Sequence, residues 1–234
     1  MAAPISRNGL ISQEDLPPRA AAHMYLRNGI LSGVIPVGAR LRSEEIAQQL
    51  NMSRMPVRDA LRQLESEGLV TIRPNRGAIV TNLSLTDIEE LFEIRGALEG
   101  LAASITAQRA TQEEIDELER RILDLEKMKS DLPKWLEWHD ALHDRLCQLS
   151  GRRELNEQIQ KIRQRVRPYI MLYSSGHDDP ELVGYEHRLF IKPLRERDAE
   201  SARSRVEAHI VANGRSIIAA IAQAQISGQS GQKL

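Results

Sequence analysis

Two sets of side chains in this sequence can do chemistry, one cationic and one imidazole. Arg54, Arg58 and Arg62 recur every fourth residue, so on a helix they form one stripe. Guanidinium groups in a row can hold phosphates or read guanine O6 and N7 in a major groove. Arg76-Gly77 follows them in a turn. Of the six histidines, His139 and His143 are four apart, which lets both imidazoles share a metal ion from one helix face. His187 and His209 lie in two later helical patterns. Both sets also have a plainer reading. Arginines at this spacing commonly form a solvated face, here among Asp59, Glu65 and Glu67, and a buried histidine is usually just hydrogen-bonded.

The elements around the arginines read clearly. Ser53 suits an N-cap, its hydroxyl accepting from a first-turn amide. Pro56 then falls at the third helical position, where its missing N–H is of no use to the helix anyway. Val57, Leu61 and Leu64 make an apolar stripe beside the cationic one, and Gly68 closes the helix in the left-handed conformation. Residues 69–73 and 78–81 read as strands around a Pro74-Asn75-Arg76-Gly77 turn. Upstream, Ser43-Glu44-Glu45-Ile46-Ala47 starts like a capped helix reaching Leu50, and Asn51-Met52 turns tightly into Ser53. Two short helices joined by a tight turn, the second one basic, are a helix-turn-helix arrangement, and the hairpin supplies a wing. Pro17-Pro18 opens an earlier helix to about Ser32, with Ala22, Leu26 and Ile30 on one side.

From Ser84 onward the pattern is helix after helix. Ser84 with Asp87, and Thr111 with Glu114, have capping-box spacing. Asp131 and Pro133 start a third helix, which ends at Ser150-Gly151. A fourth runs from about Arg153 to Tyr173, bent or shortened at Pro168. Asp179-Pro180 starts a fifth, which Pro193 should kink or end. A sixth runs from near Asp198 to about Gln225. The fold expected is mainly α: a flexible leader over 1–15, a winged helix-turn-helix over 16–81, an all-α bundle of about six helices over 84–225, and a frayed tail over 226–234.

Bulk properties narrow the function. Residues 1–80 hold ten arginines against seven acidic residues, net +3, and the remainder holds 22 basic against 26 acidic residues, net −4. The basic excess thus belongs to the half that would meet phosphates. Aromatics at 3% offer few platforms for unpaired bases, which disfavours RNA or single-strand binding. No apolar run approaches a membrane span, residues 1–10 have no signal-peptide core, and the single cysteine, Cys147, suits a reducing cytoplasm.

Ile30-Leu31-Ser32-Gly33, Pro36-Val37-Gly38, Ile46-Ala47, Ser53-Arg54-x-Pro56-Val57-Arg58-x-Ala60-Leu61 and Leu64-Glu65-x-Glu67-Gly68-Leu69-Val70 resemble the winged helix of GntR-type bacterial transcription regulators. Glu44 departs from the pattern, standing where some relatives carry a basic DNA contact. Ile94-Arg95-x-x-Leu98-Glu99, Leu142-His143, Glu186-His187 and His209-Ile210 resemble the helical effector domain of the FadR-like subfamily, called FCD.

The resemblance implies a homodimer on a near-palindromic double-stranded DNA operator. Arg54 and Arg58 would read bases, Arg62 would hold phosphate, Ser53 would position the helix, and Arg76-Gly77 would follow the minor groove. It also implies a divalent metal on an aspartate and three histidines, matched here by His143, His187 and His209. His139 stands at the usual aspartate position. Four imidazoles favour zinc or nickel over magnesium or calcium. They leave the ion's charge uncompensated, which an anionic ligand would supply. The resemblance implies that this is a small organic acid, and Arg95 is the candidate second anchor, with an ion pair to Glu99 as its plainer reading.

Two rivals remain open. One is a metal-free regulator sensing an acyl ligand, against which the histidines argue. The other is a metalloenzyme, but there is no His-Glu-x-x-His, phosphate loop or placed nucleophile, and Glu137 and Asp140 are the nearest bases. The protein is read as a cytoplasmic regulator and not an enzyme.

Overall fold

The computed structural model describes residues 16–73, 77–127, 132–173 and 180–230. The expected leader, Arg76 and the tail beyond Ser230 lie outside them. The chain divides into two units, residues up to Asn82 and residues from Leu83.

The first unit has the order α1 (Pro18–Leu31), β1 (Arg40–Leu41), α2 (Ser43–Gln49), α3 (Arg54–Ser66), β2 (Val70–Arg73), β3 (Gly77–Val80). Ala22, Leu26 and Ile30 of α1 are buried against Val57, Leu61 and Leu64 of α3, so the stripes read from the sequence form one core. Asn51 takes the left-handed conformation (φ 50°) between α2 and α3, and Gly68 takes it (φ 76°) between α3 and β2. The sheet order is β1-β3-β2, all antiparallel, with Leu41 opposite Ala78 and Val70 opposite Val80. Strand β1 was not expected. It is two residues long, too short for an alternation signal, and exists because β3 offers it an edge.

Two expected caps differ. Ser53 has the extended N-cap backbone, but its side chain makes no capping bond. Ser43 is the first helical residue, with Arg42 at the N-cap.

The second unit is six helices: α4 (Leu85–Arg109), α5 (Gln112–Lys127), α6 (Leu132–Gln148), α7 (Arg153–Tyr173), α8 (Pro180–Arg195) and α9 (Ala199–Ser230). Both capping boxes form. Ser84 Oγ accepts from the Asp87 amide while Asp87 accepts from Ser84, and Thr111 and Glu114 exchange the same pair. Helix α7 continues through Pro168 and is not shortened. A proline removes one ladder bond, which neighbouring packing at buried Val166 and Tyr169 offsets. Helix α8 likewise runs two residues past Pro193. Helix α9 reaches Ser230 rather than Gln225, running on through Gly228.

Helix α4 is the spine. Its buried face carries Ile88, Phe92, Arg95, Glu99, Ala103 and Thr106, and glycines let α9 lie close against it. A Cβ at Gly100 would come within 3.0 Å of the Arg203 carbonyl oxygen. Thr106 Oγ1 donates to the Leu146 carbonyl at 2.9 Å, tying α4 to α6. No helix among the described residues is long and apolar enough to cross a membrane.

Candidate functional site

On α3, the arginine stripe faces outward. Arg54, Arg58 and Arg62 are all exposed, opposite the buried Val57–Leu61–Leu64 stripe. Arg54 pairs with Glu44 of α2, and Arg62 lies 3.9 Å from Asp59. Both pairs are largely in solvent, so each is worth about 0–1 kcal/mol, whereas a bidentate arginine–guanine contact is worth about 1–3 kcal/mol. Arg54 can therefore exchange Glu44 for a base. Ser53 is exposed at the helix start, and Gly77 (φ 78°) opens β3 opposite Arg73.

In the bundle, the structure brings four histidines together from three helices. His139 and His143 come from α6, His187 from α8 and His209 from α9, with one ring nitrogen from each lying within 4.8 Å of the others. All four are buried. His139 stacks on Trp135 (ring centroids 4.8 Å apart), and Phe190 sets its ring edge-on to His187 and His209. The nearest pair is His143 Nε2 and His187 Nε2, 3.2 Å apart. Asn213 lies one turn beyond His209, its Nδ2 3.1 Å from Nε2.

The donor set fits a metal. Zinc–imidazole bonds of about 2.0–2.1 Å put two tetrahedral ligand nitrogens about 3.4 Å apart, close to the His143–His187 separation. A ligand imidazole must also be neutral. Burial holds His139 well below the ordinary histidine range, and the neighbouring histidines push it further down. Burial likewise lowers His143 to about 3, against the opposing pull of Glu99. Both are unprotonated at neutral pH.

Arg95 sits beside this cluster, near enough to disfavour a charge on His139. It is 2% exposed, and its Nε donates to Glu99 Oε1 at 2.7 Å. The ion pair with Glu99 thus exists, but inside the bundle rather than on a helix surface. The Arg95 Nη2 has no hydrogen-bond partner.

Glu99 and Arg163 were not anticipated as site residues. Glu99 is completely buried, also accepts from Arg163 Nε at 3.0 Å, and its Oε2 lies 2.9 Å from His143 Nδ1. Burial alone would raise its pKa, but Arg163, Arg95 and His143 together hold it well below the usual carboxylate range. Burial lowers Arg163 to about 10, so it stays charged, and its Nη2 is also without a hydrogen-bond partner. The Arg95-x-x-x-Glu99 spacing was a signal for Glu99. Nothing in the local pattern of α7 marks Arg163, since it is one of several arginines there, with Arg165 and Arg167, that read alike as surface. Of the possible catalytic bases, Asp140 pairs with Arg167, and Glu137 is exposed.

Comparison with known proteins agrees with this layout. Residues 18–80 match the bacterial regulatory proteins of the gntR family, and residues 90–212 match the FCD domain. The chain is 27% identical over 187 residues to the uncharacterized HTH-type transcriptional regulator YdhC of Bacillus subtilis, covering 79% of this chain and 84% of that one. It is 25% identical over 198 residues to the HTH-type transcriptional repressor RspR of Escherichia coli, covering 83% and 86%. Its fold is like that of E. coli McbR/YncC, with a TM-score of 0.71 at 22% identity, covering 87% of this chain and 97% of that one. YdhC and RspR are described as a transcriptional regulator and a transcriptional repressor. The chain belongs to the GntR family of transcriptional regulators, with a helix-turn-helix DNA-binding domain followed by an FCD domain.

Proposed function

We propose that this regulator is a cytoplasmic, metabolite-responsive one. In this reading it binds a near-palindromic double-stranded operator as a homodimer, and its bundle holds zinc or nickel together with a small organic acid. Arg54 and Arg58 read base edges, Arg62 holds phosphate, Ser53 sets the helix on the groove, and the hairpin at Arg76-Gly77 follows the minor groove. His139, His143, His187 and His209 would hold the ion, which when bound would supply fixed positive charge and, by expanding beyond four ligands, would accept a carboxylate oxygen.

The observation that carries this reading is the gathering of four buried imidazoles beside two buried guanidiniums, Arg95 and Arg163, each with an unspent N–H group. Such a site suits an anion and is poorly suited to an acyl chain. Regulation rather than catalysis is supported by the relatives, which are described as transcriptional regulators. Self-association is supported by Ile94 and Leu101, two turns apart on α4 and both exposed.

Operator affinity decides the matter, measured by fluorescence anisotropy on chelated and zinc-loaded protein, with and without a panel of small carboxylates. At least one carboxylate should shift the affinity of loaded protein. Equal affinity in every state would sink the reading.

A further inference from the structure

We infer that Glu99 is the positioning residue of the histidine cluster, holding His143 as the Nδ1–H tautomer so that Nε2, the nitrogen that faces His187, is the metal donor. The inference rests on the metal reading above.

Glu99 comes from α4, whereas the histidines come from α6, α8 and α9, so it meets the cluster from a separate helix. Its two oxygens are used differently. Oε1 accepts from Arg95 Nε at 2.7 Å and Arg163 Nε at 3.0 Å, and Oε2 faces His143 Nδ1 at 2.9 Å. A carboxylate so surrounded by cationic donors is ionised, and an ionised carboxylate can only accept. The proton between Oε2 and the imidazole must therefore sit on Nδ1. A neutral imidazole has one N–H, which leaves Nε2 as a lone pair pointing at His187 Nε2, 3.2 Å away.

Glutamine at this position has a definite consequence. Arginine offers no acceptor, so the amide oxygen of a Glu99→Gln variant must face Arg95 and Arg163. Its NH2 group then faces His143 Nδ1 and donates to it. That forces His143 into the Nε2–H tautomer and puts a proton where the ion would bind. A residue that merely glued two arginines together would leave this tautomer unchanged.

The test uses the full-length protein labelled with 15N-histidine, together with zinc affinity by chelator competition. His143→Ala identifies the His143 signals and sets the affinity of a cluster lacking that ligand. Metal-free wild type should show His143 with Nδ1 protonated and Nε2 bare, and zinc should perturb Nε2. E99Q should invert the tautomer and weaken zinc about 10–100-fold, toward the value for H143A. A wild type that binds zinc with His143 as the Nε2–H tautomer, or a folded E99Q with parental zinc affinity, overturns the role of Glu99 and leaves the metal reading standing. If E99Q fails to fold, the wild-type tautomer decides alone. A wild type that binds neither zinc nor nickel overturns both.

Discussion

Gly214 of α9 lies directly against Phe92 of α4, so close that a Cβ on the glycine would come within 2.6 Å of the phenylalanine Cβ and Cγ. Phe92 is 2% exposed and cannot swing away into solvent. Gly214→Ala should therefore overpack the bundle despite the better helix propensity of alanine, with a net loss of about 1–3 kcal/mol. For a chain of this size that is a fall in Tm of roughly 2–10 °C, readable by calorimetry. An unchanged or higher Tm would mean that α4 and α9 are not packed this closely.

The arginine stripe makes a graded prediction. Arg58 is exposed on α3 and has no ion-pair partner among the described residues, so nothing competes with DNA for it. Arg58→Ala should lower operator affinity about 10–100-fold with little effect on random duplex, as befits a base-reading residue. Arg62→Ala should weaken operator and random duplex alike and reduce the salt slope by about one, as befits a phosphate contact. Competition assays at several salt concentrations separate the two patterns. Equal losses on both duplexes for both variants would remove the base-reading assignment.

How far these features were legible in the sequence depended on how local they are. Capping boxes at Ser84 and Thr111, and the buried stripe of α3, are set within a few residues, and the structure keeps them. The meeting of His139 and His143 is also local, as both sit on one helix face. Their meeting with His187 and His209 depends on how α6, α8 and α9 pack, and only the family resemblance indicated it. Spacing paired Glu99 with Arg95, but it placed that pair on a helix surface and gave no sign that Glu99 is the most buried charge among the described residues of the bundle. Its environment is made by Arg163, 64 residues away. Strand β1 escaped for the same reason, since two residues have no period and the strand exists only against β3.

Metal removal should matter to the fold as well as to the signal. An ion that binds only the native state stabilises it by RT ln(1 + [L]/Kd), about 2.7 kcal/mol at a hundredfold excess over Kd. Chelation should therefore lower the Tm of wild type by several degrees and that of His187→Ala by much less. His187 is fully buried, so the variant also loses stability by itself, and the comparison to make is the chelator-induced difference within each protein. A wild-type Tm that ignores chelator would count against the cluster as a metal site.

The metal-free protein should be acid-sensitive in a window set by the same imidazoles. In the unfolded chain a histidine titrates near 6.5, whereas in the fold burial keeps His139 well below that value and His143 at about 3. Between those limits the unfolded state binds protons that the native state refuses, so unfolding is favoured as pH falls and stability rises with pH. Glu99, also held well below its usual range, adds a loss of the same sign only below about pH 4.5, where the unfolded carboxyl takes up its proton. The Tm of chelated wild type should thus decline steadily from pH 7 to pH 5, before most carboxylates titrate. His143→Gln removes one of the refusing groups, so its Tm should fall less steeply over the same interval. Parallel slopes for the two proteins would show that His143 is not held neutral by its burial.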